Sequence, residues 1–271
     1  MIHADCHLHS HHSGDSDSPM EAMIEAGIAA GLDIMCFTEH NDFDYPEADG
    51  ITEDMWQLNV DSYLYELISM RERYEGKIKL LFGLELGLQP VCMRQNAVLA
   101  KSYDFDFIIG SSHVCDSMDP YFPEFWEGKT EQEALRRYFE SELENIKKHS
   151  NFDVYGHLDY AVRYAKNKDR DYRYADYSDI IDEILKALIE KGKGIELNTG
   201  GIKSGMKDFH PGREILKRYL ELGGEILTVG SDAHTPDRVA EHFDRACESL
   251  KEIGFRYVAV YEKRNPEFFK L

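Results

Sequence analysis

Residues 2–40, IHADCHLHSHHSGDSDSPMEAMIEAGIAAGLDIMCFTEH, read as a strand, a turn, a helix and a second strand. The apolar run Ile2–Cys6 passes into His7-Leu8-His9 and then into a polar turn carrying Asp15. Ser18 is the expected N-cap of the helix, with Pro19 at its first position and Glu21 in its first turn, where an acid favours the helix dipole. The helix over 19–30 stops at Gly31, a residue free to take the left-handed backbone that closes a helix. The next apolar run, Asp33–Thr38, ends in Glu39-His40. Two buried strands joined by a helix are a parallel βαβ unit, because a parallel pair needs a crossover on one face.

Working outward, the unit repeats. Further short runs rich in Ile, Val, Leu and Phe lie at Lys79–Leu84, Phe105–Gly110, Phe152–Gly156, Gly194–Asn198 and Glu225–Gly230, and Arg256–Val260 reads as a weaker edge strand. Helical spacing of apolar residues fills 178–191, 211–222 and 239–253 between them. Strand alternating with helix predicts an α/β fold with a parallel sheet and helices packed outside it. Seven such units suit a closed barrel or an open sheet, and spacing does not separate the two. A length of 271 residues with 42% hydrophobic residues fits one domain over 1–271. Two stretches break the alternation: 41–59, an acidic loop, and Ser117–Gly128 (SMDPYFPEFWEG), an aromatic, Pro-rich segment suited to a lid or pocket wall.

Lys and Arg number 31 against 51 Asp and Glu, a net charge of −20. Such a surface repels polyanions, which argues against a nucleic-acid or anionic-membrane partner. An anionic small molecule can bind only where local cations reverse the field. The five cysteines form no CxxC pair, the amino terminus lacks the apolar core of a signal peptide, and no apolar run spans a membrane. The expectation is a reduced, cytoplasmic chain.

Chemistry gathers where the strands end. The first ends in His7 and His9, the second in His40, the third in Glu85, the fourth in His113, the fifth in His157 and the seventh in Asp232 and His234. Residues two apart in extended chain point to one side, so His7 with His9, and Asp232 with His234, can each reach a common ion. In parallel α/β folds the carboxyl ends of the strands share one face. Asp15, in the turn after the first strand, can fold back to join them. A lone histidine is ordinarily structural; nine candidates sharing one position are not. Nitrogen and oxygen donors without thiolate suit Zn, Mn or Fe, and nine ligands suffice for up to three divalent ions. The remaining histidines lack this context: His3, His149 and His242 read as structural or exposed, His11 and His12 as pocket neighbours, and His210 as facing a substrate. Cys115 reads as an inert thiol, and Asp42, Asp44, Glu47 and Asp49 as a solvated loop.

The motifs HLH at 7–9, TEH at 38–40, Glu85, GSSH at 110–113, GHLD at 156–159 and SDAH at 231–234 resemble, in order, those of the polymerase-and-histidinol-phosphatase (PHP) family. The likeness is greatest to stand-alone histidinol-phosphate phosphatases, through HSGDS around Asp15, GHLDYAVR at 156–163, LNTGGIK at 197–203 and GFRYVAVYEKR at 254–264. The resemblance implies a distorted (βα)7 TIM-like barrel. It implies one ion on His7, His9, Glu85 and Asp232, a second on Glu85, His113 and His157, and a third on Asp15, His40 and His234. Glu85, Asp232 and His234 would be catalytic. Arg163 matches a phosphate-contacting arginine, while Lys203 and His210 stand where relatives often carry Arg and Tyr. The implied reaction is hydrolysis of a small phosphomonoester, L-histidinol phosphate first, by a hydroxide bridging two ions, with His234, His210 or metal-bound water protonating the leaving group. Another phosphomonoesterase, a proofreading nuclease and a non-catalytic metal-binding domain are the alternatives. The oligomeric state is open.

Overall fold

The computed structural model describes residues 2–48 and 50–271, so Asp49 lies outside the described residues. Seven parallel strands follow one another in sequence order: β1 Ala4–Leu8, β2 Ile34–Asn41, β3 Lys79–Gly87, β4 Phe107–Ser111, β5 Val154–Tyr155, β6 Gly194–Asn198 and β7 Leu227–Gly230. Beyond β7 the chain closes onto β1. Leu8 bridges Ala233, the His9 N–H donates to the Ala233 carbonyl at 2.9 Å, and the Asp232 N–H donates to the His7 carbonyl at 2.8 Å. The sheet is therefore a ring, a distorted (βα)7 TIM-like barrel, with β5 shortened to two residues.

The helices are α1 Met20–Ala29, α2 Val60–Arg73, α3 Met93–Ser102, α4 Glu131–Lys148, α5 Ser178–Glu190, the short α6 Gly200–Lys203, α7 Arg213–Glu221 and α8 Phe243–Ile253. They present apolar faces to the outside of the ring, as Ile181, Ile184, Leu185 and Leu188 of α5 do. A second apolar cluster fills the end where the strands begin. Ala4, Cys6, Cys36, Leu81, Phe107 and Val154 there meet Ala259, Val260 and Tyr261. The strand-start end is thus plugged, and chemistry is confined to the opposite face. None of the helices among the described residues is long and apolar enough to cross a membrane.

Three local expectations change. The run at Arg256–Val260 is no edge of the main sheet: it is β8 Tyr257–Glu262, paired antiparallel with β9 Asn265–Lys270 as the plugging hairpin. Ser18 does not cap α1; its hydroxyl donates to the His234 carbonyl at 2.8 Å, and Pro19 stands at the N-cap. The last helix starts at Phe243, not Val239, because Ala240 and His242 take left-handed backbone that no helix continues through. The five cysteines are buried.

Candidate metal centre

Parallel register sets the first neighbours. His40 of β2 pairs with Glu85 of β3, so an imidazole and a carboxylate leave adjacent strands side by side. Barrel closure then brings the ends of β1 and β7 against Glu85. The His7 Nε2 lies 3.1 Å from both His9 Nε2 and Glu85 Oε2, and 3.7 Å from Asp232 Oδ1. The His9 Nε2 lies 3.5 Å from the same Glu85 and Asp232 oxygens. Donors bound at zinc distances in a tetrahedron sit about 3.3 Å apart, so these four side chains fit one ion. The other Glu85 oxygen, Oε1, lies 2.8 Å from His157 Nε2 and 3.2 Å from His113 Nε2. Asp15 Oδ2 lies 2.9 Å from His234 Nε2 and 3.7 Å from His40 Nε2. All nine predicted residues meet at one place, with Glu85 between two groups.

The outer nitrogens of the rings show what the inner ones are for. The His7 Nδ1 donates to Glu196 Oε1 at 2.6 Å, and the His113 Nδ1 to Asp42 Oδ1 at 2.7 Å. Ser13 is a hub: its hydroxyl donates to Glu39 Oε2 at 2.5 Å and accepts the His40 N–H at 3.0 Å. With its proton given to Glu39, the Ser13 oxygen accepts from His9 Nδ1 at 2.9 Å. With an ion bound, each of these rings would keep its outer proton on that partner and turn the Nε2 lone pair to the centre, the arrangement that second-layer partners impose on metal-ligating histidines. His157 Nδ1 is buried without a hydrogen-bond partner, and His40 Nδ1 lies 3.1 Å from Glu85 Oε2. The donor set and these outer partners fit divalent ions.

Charge points the same way. Burial alone would push the Glu85 carboxyl up, but the His7, His40 and His113 imidazoles outweigh it and hold Glu85 well below its usual range. Asp232 is likewise held down against its burial by His7 and His9. Burial opposes the charge on His40 too, yet Glu85 and Asp15 push that imidazole up to about 9. Burial, with His234 and His40 alongside, drives His9 down to about 3. In the metal-free chain protonated imidazoles neutralise the carboxylates, the place a divalent ion takes.

The centre opens into a cavity of about 460 Å³. Arg163 lines it, its guanidinium 4.1 Å from the Tyr160 ring centre and 3.9 Å from Asp232 Oδ2. Lys203 stands at the rim on α6. His210 does not line it: the ring is fully buried, with Nδ1 2.5 Å from Asp159 Oδ1. His11 and His12 also lie off the cavity.

Several residues escaped the sequence reading. Asp42 is no solvated loop residue but a buried support for His113, in space left by Gly87, where a Cβ would fall 1.9 Å from Asp42 Oδ1. Glu196 and Glu39 are charged residues inside strands, an oddity visible in GIELN and CFTEH. Asp119, buried at the cavity wall, accepts from the Tyr45 hydroxyl at 2.7 Å and the Tyr121 N–H at 2.7 Å. Aromatic rings of Tyr45, Trp56, Tyr121, Tyr160 and Tyr164 complete the wall.

The PHP domain profile matches residues 5–200. The histidinol-phosphatase of Lactococcus lactis is 33% identical over 262 residues, covering 96% of this chain and 95% of that protein. A Clostridium acetobutylicum relative is also 33% identical over 262 residues, covering 96% of this chain and 97% of its own. The crystal structure of histidinol phosphate phosphatase from L. lactis, complexed with zinc, L-histidinol and phosphate, superposes with a TM-score of 0.87 at 31% identity, covering 97% of this chain and 98% of that one.

Proposed function

This chain belongs to the PHP domain family, and from that premise we propose that it hydrolyses L-histidinol phosphate to L-histidinol and phosphate on a cluster of divalent ions. The observation that carries the reading is the convergence of nine donor side chains, with the outer nitrogens of His7, His9 and His113 tied to Glu196, Ser13 and Asp42. The relatives named histidinol-phosphatase, and the neighbour crystallised with zinc, histidinol and phosphate, support it.

His7, His9, Glu85 and Asp232 would hold one ion, Glu85, His113 and His157 a second, and Asp15, His40 and His234 a third; zinc is the first choice, with Mn or Fe compatible with the same donors. Bound ions supply Lewis acidity, acidifying water towards neutral pH and offsetting phosphoryl charge. The residues around them do the rest. Arg163, pressed on Tyr160 beside Asp232, offers a fixed guanidinium to the phosphoryl oxygens, and Lys203 adds charge at the rim. The leaving group of this ester carries an ammonium and an imidazole. Asp119 offers those groups a carboxylate, and the tyrosine and tryptophan wall offers ring faces. His210, sealed behind the wall, has no path to the leaving oxygen. The fold acts as a single domain over 1–271 in this reading, with a small phosphorylated substrate as its partner.

The test is phosphate release from L-histidinol phosphate by zinc- or manganese-reconstituted protein, with a nucleoside monophosphate alongside. Turnover of the first ester, abolished by chelator, is the expected result. Hydrolysis of only the nucleotide would overturn the substrate and keep the metal chemistry.

A further inference from the structure

His11 and His12, two histidines the catalytic centre leaves unused, converge on one side chain of α2. The His12 Nε2 lies 2.9 Å from Glu66 Oε2, and the His11 Nε2 lies 3.3 Å from the same oxygen. The two rings are 4.4 Å apart, and the three donor atoms all lie within 4.8 Å of one another. We propose that His11, His12 and Glu66 form a further divalent-metal site, separate from the catalytic cluster, whose ion clamps the β1–α1 turn to α2.

The site is held in place from behind. The His11 N–H donates to the Ser18 carbonyl at 2.8 Å, which ties off the turn. The His12 ring packs 5.6 Å from the ring of Tyr63, whose hydroxyl is anchored on the Phe37 carbonyl at 2.8 Å. On the outside the His11 side chain is 43% exposed and Glu66 27% exposed, so an ion has access and keeps a position for water. Two imidazoles and one carboxylate with an open fourth position are the ligand number and type of an accessible zinc site. A chain of net charge −20 concentrates divalent cations at its surface. The clamp has a consequence, because the same turn carries Ser13 and Asp15. Fixing 10–18 on α2 would hold the Ser13 hub and the Asp15 carboxylate in register with the catalytic histidines.

Zinc-loaded wild type, Glu66→Gln and His11→Ala are dialysed against buffered free zinc, and metal per chain is measured by mass spectrometry. Amide hydrogen exchange across 10–18 is followed in parallel. Wild type should hold one more zinc per chain than either variant at the upper end of the titration, with exchange across 10–18 slowed in wild type only. Phosphate release should persist in both variants, since neither residue touches the cavity. Equal zinc counts in all three proteins overturn the site. An extra ion without slower exchange across the turn overturns the clamp.

Discussion

Glu196→Gln isolates what the outer hydrogen bonds do, because it changes charge and donor pattern while leaving shape alone. Glu196 is fully buried. Its Oε1 accepts the His7 Nδ1 proton at 2.6 Å, while Oε2 accepts the His157 N–H at 3.0 Å and the Asn198 amide at 3.2 Å. The glutamine has one acceptor where three donors wait. With its oxygen towards His7, its NH2 faces two N–H groups, and a buried donor left unpaired costs about 1–3 kcal/mol. Flipped, its NH2 faces His7 Nδ1, which can accept only by moving its proton to Nε2. That is the atom 3.1 Å from Glu85 and His9, so His7 stops being a ligand. Both orientations weaken the first ion by roughly 10–100-fold in affinity, the usual effect of losing such a support. Metal occupancy against buffered free zinc, read alongside phosphate release at each point, measures it. The binding curve should shift by that factor, with activity following occupancy. Wild-type affinity in Glu196→Gln would refute the idea that Glu196 sets the His7 tautomer.

Ser13→Ala removes the oxygen shared by His9 and His40 and leaves Glu39 short of a donor, so metal affinity should fall roughly tenfold; an unchanged zinc titration would contradict the hub. Gly230→Ala places a Cβ 2.2 Å from the His7 Cβ and 2.6 Å from Glu196 Oε1; urea unfolding in chelator should show a loss of about 1–3 kcal/mol, as overpacked cores do, and equal midpoints would count against it. Asp119→Asn should lower kcat/KM for L-histidinol phosphate about tenfold or more, the worth of one charged hydrogen bond, while sparing a phosphomonoester without a cationic leaving group; equal losses on both esters would remove Asp119 from substrate recognition. The metal-free protein should be most stable near pH 6.5. Above that pH the unfolded imidazoles are neutral while His40 keeps its proton up to about 9, so stability falls as pH rises through this window. Below it His9, depressed to about 3, stays neutral when the unfolded ring takes a proton, so stability falls as pH drops. Thermal midpoints in chelator from pH 4 to 9 check both slopes, and a midpoint that climbs from 6.5 to 9 would reject the ion-pair account.

The strands, their parallel arrangement and the eight polar residues at their ends were legible in the chain, because each depends on local facts. Burial on both faces writes an unbroken apolar run, period two sends His7 and His9 the same way, and a strand end is where such a run turns polar. The resemblance to a known family chose the barrel over the open sheet; spacing alone did not, since closure rests on a few hydrogen bonds between residues 7–9 and 232–233. Tertiary structure alone decided the supports. Asp42 looked like one acid among several in a loop, and only the absence of a side chain at Gly87 lets it fold inward to His113. Glu196 finds His7 across 189 residues, a pairing that exists only once β6 and β1 share a ring. His210 sits beside a conspicuous glycine motif, yet Asp159 draws it behind the wall. Local pattern determines where a polar residue emerges from a strand; the partner it meets there is set by chain segments brought together by barrel closure.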